Sequence, residues 1–137
     1  MARLQRISAE AGLLRAIVAG DFSIDEAKKG FVEILDAAGR HRTKKILVDG
    51  REVKGEPELI HRFIYSTFAA GEVAKYVVEH RVGSPQFAYV LREPVLDPQR
   101  FGETVAVNRG MRIKVFDNLE EALNWLGKAK AVRKIQS

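Results

Sequence analysis

Few side chains in this sequence are suited to chemistry, and their spacing is poor for most reactions. The chain contains no cysteine, which excludes a thiolate nucleophile and a cysteine-bound zinc ion. Its three histidines, His41, His61 and His80, are never paired at the i, i+4 spacing of a helical metal site. There is no glycine-rich phosphate loop, dinucleotide fingerprint or nucleophile elbow. We therefore expect no metal site, no cofactor and no covalent catalysis.

Charged residues near the ends of predicted strands are the remaining candidates for a site. Ligands of open α/β sheets bind at the carboxyl ends of the parallel strands. The loops expected there contain four side chains that could recognise a partner or ligand, namely Arg51, Lys54, Arg92 and Glu93. A carboxylate-dependent hydrolase or transferase would use Asp49, Arg51, Glu93 and Asp97. The simpler alternative is that the cations form solvated ion pairs and the aspartates cap turns.

The elements that must position these residues alternate between strand and helix. Leu4–Ile7 and Leu13–Val18 are predicted to form an antiparallel pair of strands. The strands and helices expected after this pair are a helix from Ile24 to Gly39, a strand at 45–50, a long helix from Pro57 to about His80, a strand at 87–91, a short helix that begins at Pro98 after an Asp97 N-cap and runs through Phe101 and Val105 to Asn108, a strand at 112–116 and a helix at 119–126. The sequence thus predicts an α/β fold, with a mixed five-stranded sheet, antiparallel at its N-terminal strand and otherwise mostly parallel, and four helices.

The long second helix has more apolar surface than one sheet-facing side can bury. One stripe is predicted to face the core and contains Ile60, Phe63, Ile64, Thr67, Gly71, Ala74 and Val78. A second face is predicted to contact another subunit, a partner or an apolar ligand, and contains Tyr65, Phe68, Ala69, Glu72 and Tyr76. The alternative is a helix that its own chain buries more deeply.

The formal net charge of +5 comes mostly from the C-terminus. The stretch 128–137 contains Lys128, Lys130, Arg133 and Lys134 and no acidic residue, so the rest is close to neutral. This distribution favours a single domain at 1–127 with a basic, solvated tail at 128–137, and it disfavours nucleic-acid binding. No signal peptide or spanning segment is visible, and the cysteine-free composition fits the cytoplasm.

Two segments and the order of elements carry a family resemblance. Residues 45–49 (KILVD) and 115–126 (VFDNLEEALNWL) make the chain similar to the STAS and SpoIIAA-like family. The best-known members are anti-sigma-factor antagonists, which bind a protein kinase and are switched off when a serine at the start of the second helix is phosphorylated. The corresponding segment, 49–58, contains no Ser, Thr or Tyr. The resemblance therefore implies the fold without the phosphorylation switch, and it is stronger to the SpoIIAA-like branch, which is compared with lipid-carrying SEC14-type domains.

These features support three hypotheses of function. The first is a non-enzymatic regulatory or binding module that acts through protein–protein interaction, with an unknown protein partner, and that forms a homodimer through its second helix. The second is a small carrier of a lipid-like or apolar ligand, in a cavity lined by Phe63, Phe68, Phe87, Phe101 and Trp125. The third is the carboxylate-dependent enzyme, which we rank last because its residues need a convergence that the sequence does not indicate.

Overall fold

Five strands form one mixed sheet in the order β1-β2-β3-β4-β5. The computed structural model describes residues 3–128. Its strands are β1 (Arg3–Glu10), β2 (Leu13–Asp21), β3 (Lys45–Lys54), β4 (Gln86–Val90) and β5 (Arg112–Phe116). β1 pairs with β2 in antiparallel orientation, and the other three pairings are parallel. The fold class predicted from the sequence is confirmed.

Four helices cover the two faces of the sheet unequally. They are α1 (Ile24–His41), α2 (Leu59–His80), α3 (Phe101–Asn108) and α4 (Leu119–Leu126). Strands β2 to β5 follow one another across the sheet, so right-handed crossovers place α1, α2 and α3 on the same face. Only α4, which follows the last strand, packs on the opposite face. None of the helices within residues 3–128 is long and apolar enough to cross a membrane.

Apolar side chains of the central strands are buried on both faces. In β3, Ile46 and Val48 belong to the core under α1–α3, whereas Leu47 belongs to the core under α4. The same alternation separates Leu13 from Leu14 in β2. Because successive strand residues point to opposite faces, a continuous apolar run is what a strand between two cores requires.

Several element boundaries follow from local capping, and others differ from the prediction. β1 and β2 extend past their predicted ends, to Glu10 and Asp21, and α3 begins at Phe101 and not at Pro98. Ser23 accepts a hydrogen bond from the Glu26 N–H, as its capping position predicted. α1 continues beyond Gly39 and ends at His41. α2 begins at Leu59, two residues after Pro57. β3 continues through 51–54, a segment predicted to be a loop, because it pairs there with the second half of β2.

Candidate functional site

The two faces of α2 are exchanged relative to the sequence prediction. The stripe expected in the core is the exposed one: side chains are 54% exposed at Ile60, 39% at Phe63 and 76% at Val78. Gly71 and Ala74, between them, are also exposed. The prediction that this stripe faces the core is therefore wrong, and α2 presents an apolar strip to solvent.

The side of α2 expected to meet a partner instead faces the interior. Ala69 and Tyr76 are buried, and Tyr76 stacks on His80 with a ring-centroid distance of 4.3 Å. Tyr65 points at the sheet, where its hydroxyl lies 2.6 Å from that of Tyr89. Phe68 and Glu72 occupy the border, with the Lys28 ammonium 5.2 Å from the Phe68 ring and Lys75 3.5 Å from the Glu72 carboxylate.

Apolar periodicity could not distinguish the two faces, because both sides of α2 are apolar. Residue size does not distinguish the faces either, because Thr67, Gly71 and Ala74 on the outer side are also small. The buried side contains Ser66, Ala69 and Ala70 beside Val73 and Tyr76, and small side chains allow a helix to approach its neighbours closely. At Gly102 of α3 an added Cβ would lie 2.9 Å from the Ser66 hydroxyl, which shows how closely α2 and α3 approach.

A partly open cavity of about 170 Å³ lies between the sheet and the layer of α1, α2 and α3. Most of its wall is apolar and includes Val18, Phe31, Ile34, Val48, Tyr65 and Tyr89. The five aromatic residues predicted to line a cavity are not part of this wall, namely Phe63, Phe68, Phe87, Phe101 and Trp125. Phe63 is exposed, and Trp125 of α4 packs on Phe116 on the opposite face of the sheet. A cavity is present, but the sequence did not identify its lining.

The hydroxyl pair of Tyr65 and Tyr89 is a polar feature of this otherwise mostly apolar wall. Burial raises the pKa of Tyr65 to about 12, although the hydrogen bond to Tyr89 opposes the shift. Burial also raises the pKa of Tyr89 well above its ordinary value, and Tyr65 adds to that shift. Both phenols are therefore neutral at physiological pH and act as hydrogen-bonding groups without charge.

Asp49, Arg15 and Arg51 form a cluster on the other side of the sheet. Arg51 binds the Asp49 carboxylate in a bidentate manner, with Nε 2.9 Å from Oδ1 and Nη2 2.8 Å from Oδ2. Arg15 Nη2 lies 3.4 Å from Asp49 Oδ2. Burial raises the pKa of Asp49, but hydrogen bonds from Arg51 outweigh this effect and hold it below the ordinary value. The predicted site residue Arg51 is thus committed to an internal ion pair.

The other predicted strand-end residues do not converge. Lys54 is exposed at the end of β3, and Arg92 is exposed 3.9 Å from Glu52. Glu93 lines a cleft at the edge of the cavity together with Arg62 and Asp97. The Asp97 carboxylate accepts hydrogen bonds from the N–H groups of Gln99 and Phe101, so it caps the approach to α3.

The residues proposed for catalysis lie on opposite faces of the sheet. Asp49 follows Leu47 by two residues and shares its face, on the α4 side. Asp97 lines the cavity on the α1–α3 side. Within the described range, 3–128, no three His, Asp or Glu side chains are grouped as a metal site requires.

Comparisons with known proteins identify the fold. No family model matches the sequence, and no curated protein matches it either. The structure is similar to the crystal structure of an anti-sigma factor antagonist from Mycobacterium paratuberculosis, with a TM-score of 0.56 and 13% identity over 93% of this chain and 95% of that chain. The chain has the SpoIIAA-like fold. At this identity the similarity establishes the arrangement of elements, and it agrees with the family resemblance of residues 45–49 and 115–126.

The segment that leads into α2, residues 49–58, contains no residue that can be phosphorylated. The N-cap of α2 is Glu58, and the first hydroxyl groups of the helix are those of Tyr65, Ser66 and Thr67. Ser66 is buried and Tyr65 faces the cavity.

Proposed function

We propose that this protein is a regulatory module that acts by binding proteins, without catalysing a reaction, and that two copies associate through the outer face of α2. The observation that carries the proposal is the apolar strip on the outer side of α2, in which Ile60, Phe63, Gly71, Ala74 and Val78 are exposed and Ile64 and Thr67 are half-buried. Proteins that function as isolated monomers rarely expose a continuous apolar strip of this kind. The fold shared with an anti-sigma factor antagonist, a protein that acts on another protein, supports a binding role.

The strip is straight and long enough for a helix–helix contact. Ile60 and Val78 are 18 residues apart, which is five full turns, so their side chains lie above one another about 27 Å apart along the axis. Larger side chains stand at the two ends, and Thr67, Gly71 and Ala74 occupy the middle. Small central residues allow two helix backbones to approach closely where they cross.

A second copy of this chain is the partner that fits the strip best. In a two-fold dimer the same surface contacts itself, so an antiparallel pair of α2 helices would cross near Gly71. The Ile60 end of one strip would then meet the Val78 end of the other. The Arg109 guanidinium, 5.9 Å from the Phe63 ring, would lie near Glu79 of the second copy, which gives the contact charge complementarity at its rim.

The carboxylate-dependent enzyme has less support. Its residues Asp49 and Arg51 bind each other on the α4 side of the sheet, while Asp97 serves as a cap on the other side. General acid–base chemistry needs such groups within reach of one substrate.

The dimer is tested by placing a charge on the strip. We expect wild-type protein to sediment at twice the 15.3 kDa mass of the chain. Val78→Glu should weaken dimerisation about 100-fold, because a charge would be buried in the contact without a partner. Val78 is 76% exposed in the single chain, so the variant should keep its fold and its unfolding transition.

Val32→Glu is the matched control. Val32 is 45% exposed on α1, outside the strip, so the same change should leave the dimer intact. Wild-type protein that sediments as a monomer at micromolar concentration would contradict the proposal. Equal weakening by both variants would show that net charge, and not the strip, controls association.

A further inference from the structure

We propose that the cavity beneath α2 binds a small, uncharged organic ligand about the size of one substituted aromatic ring, which accepts a hydrogen bond from the Tyr65–Tyr89 pair. This inference goes beyond the protein-binding role and does not depend on it. It rests on the volume of the cavity, on the character of its wall and on the number of hydroxyl hydrogens of the two tyrosines in that wall.

The volume sets the size of the ligand. An apolar protein cavity of roughly 150 Å³ accepts benzene, and this cavity measures about 170 Å³. A membrane lipid with two acyl chains is far too large for that space. The wall formed by Val18, Phe31, Ile34 and Val48 favours an apolar body.

Counting hydroxyl hydrogens gives the polar requirement. Each tyrosine hydroxyl carries one hydrogen and can accept two hydrogen bonds. The pair shares one hydrogen across its 2.6 Å contact, and within residues 3–128 neither hydroxyl has a second partner. One hydrogen is therefore left to donate to something else. A buried donor without an acceptor costs free energy, so a ligand with one oxygen acceptor satisfies the site.

The charges near the cavity do not favour an ionic ligand. Arg62 donates to the backbone carbonyls of Pro94 and Val95, at 2.8 and 2.7 Å. Glu103 accepts from the Val115 N–H at 3.3 Å. These groups bind the protein's own backbone, as Asp97 and Arg100 do. The fifth charged residue of the lining, Glu26, disfavours an anion, and an unpaired charge placed against Phe31 would be costly to bury. The site therefore favours neutral molecules over anions.

A pair of isosteric probes tests the acceptor requirement. Acetophenone has a carbonyl oxygen where α-methylstyrene has a methylene group, and the two molecules have nearly the same shape. We expect both to bind wild-type protein in a calorimetric or NMR titration, with acetophenone about 5–10-fold tighter because of the added hydrogen bond. Benzoate should bind far more weakly than either.

Removing both hydroxyls should remove the preference and leave the apolar contact. In Tyr65→Phe/Tyr89→Phe the two probes should bind with equal affinity; a single Phe variant still has a free hydroxyl hydrogen and is not sufficient. Replacing both partners of a hydrogen bond with apolar groups of the same shape is nearly neutral for stability, so the double variant should fold. Tyr76→Phe is the control, because Tyr76 is buried against His80 and is not part of the cavity wall.

Filling the cavity with a larger side chain should abolish the binding of both probes. Gly30 of α1 lines the cavity, and an added Cβ there would meet none of the described atoms within 4 Å apart from its own helix backbone. Gly30→Leu should abolish binding, whereas Lys29→Leu, at the exposed neighbouring position, should not. Failure of wild-type protein to bind either probe at millimolar concentration would overturn the proposal. So would binding that persists in Gly30→Leu, or an acetophenone preference that persists in the double phenylalanine variant.

Discussion

Asp49→Asn is expected to lower the free energy of unfolding by about 3 kcal/mol. The Asp49 side chain is only 8% exposed and balances two guanidinium groups, those of Arg15 and Arg51. An asparagine would keep one acceptor oxygen and direct an NH₂ group at a cation. The buried Nε atom of Arg15 already has no hydrogen-bond partner in the described part of the chain, so Arg15 has little else to bind.

The same substitution should change the response to acid. The pKa of Asp49 in the folded protein lies below its ordinary value of 3.8, so the carboxylate stabilises the fold above that pH. This contribution is lost as the pH falls through the folded-state pKa. Urea unfolding at neutral and acidic pH should therefore show a smaller difference between wild type and variant in acid.

Asp36→Asn provides the matched control for Asp49. Asp36 also pairs with an arginine, Arg40, but both side chains are well exposed, and such pairs contribute less than about 1 kcal/mol. An Asp49→Asn variant as stable as Asp36→Asn would show that the buried cluster does not support the fold.

The tyrosines are expected to ionise at a much higher pH in folded protein than in unfolded protein. All three tyrosines of the chain have a raised pKa in the fold, because burial disfavours their charged form. In urea they should ionise near pH 10, the ordinary value. In native protein little tyrosinate absorbance should develop at that pH, and Tyr65 should ionise near 12.

The sign of the effect on stability follows from these shifts. A neutral, buried tyrosine stabilises the fold fully below the unfolded-state pKa, and the contribution is lost as the pH rises through the folded-state pKa. Tyr65 alone accounts for about 3 kcal/mol between pH 10 and 12. Tyr65→Phe/Tyr89→Phe should lose most of this alkaline sensitivity. A native titration curve centred near pH 10 would show that the hydroxyl pair is open to solvent.

The elements of the fold were predictable because their signals are local. The Ser23 side chain accepts from the Glu26 N–H, and Asn118 accepts from the Glu121 N–H at 3.0 Å. These caps mark the starts of α1 and α4 in the sequence itself. The apolar run 45–50 likewise indicated a strand buried on both faces.

The features that the sequence did not predict correctly depend on contacts between residues distant in the chain. The extension of β3 through 51–54 exists because β2 is long enough to pair with it, as in Asp21 with Lys54. The exposed face of α2 was misassigned because Tyr65, Ala69 and Tyr76 satisfy helical periodicity as well as Ile60 and Val78 do. The hydroxyl pair joins residues 24 positions apart, and no local pattern in the sequence indicates it.

The position of the dimer contact is tested most directly by a single introduced thiol. The chain has no cysteine, so Gly71→Cys places its only thiol at the middle of the exposed strip of α2, where a side chain meets open space. Two copies related by a two-fold axis near this point would bring their thiols within disulfide distance. We predict rapid formation of a covalent dimer under mild oxidation, and none with Val32→Cys on α1. A Gly71→Cys protein that stays monomeric and reduced, or cross-links no faster than Val32→Cys, would contradict the account.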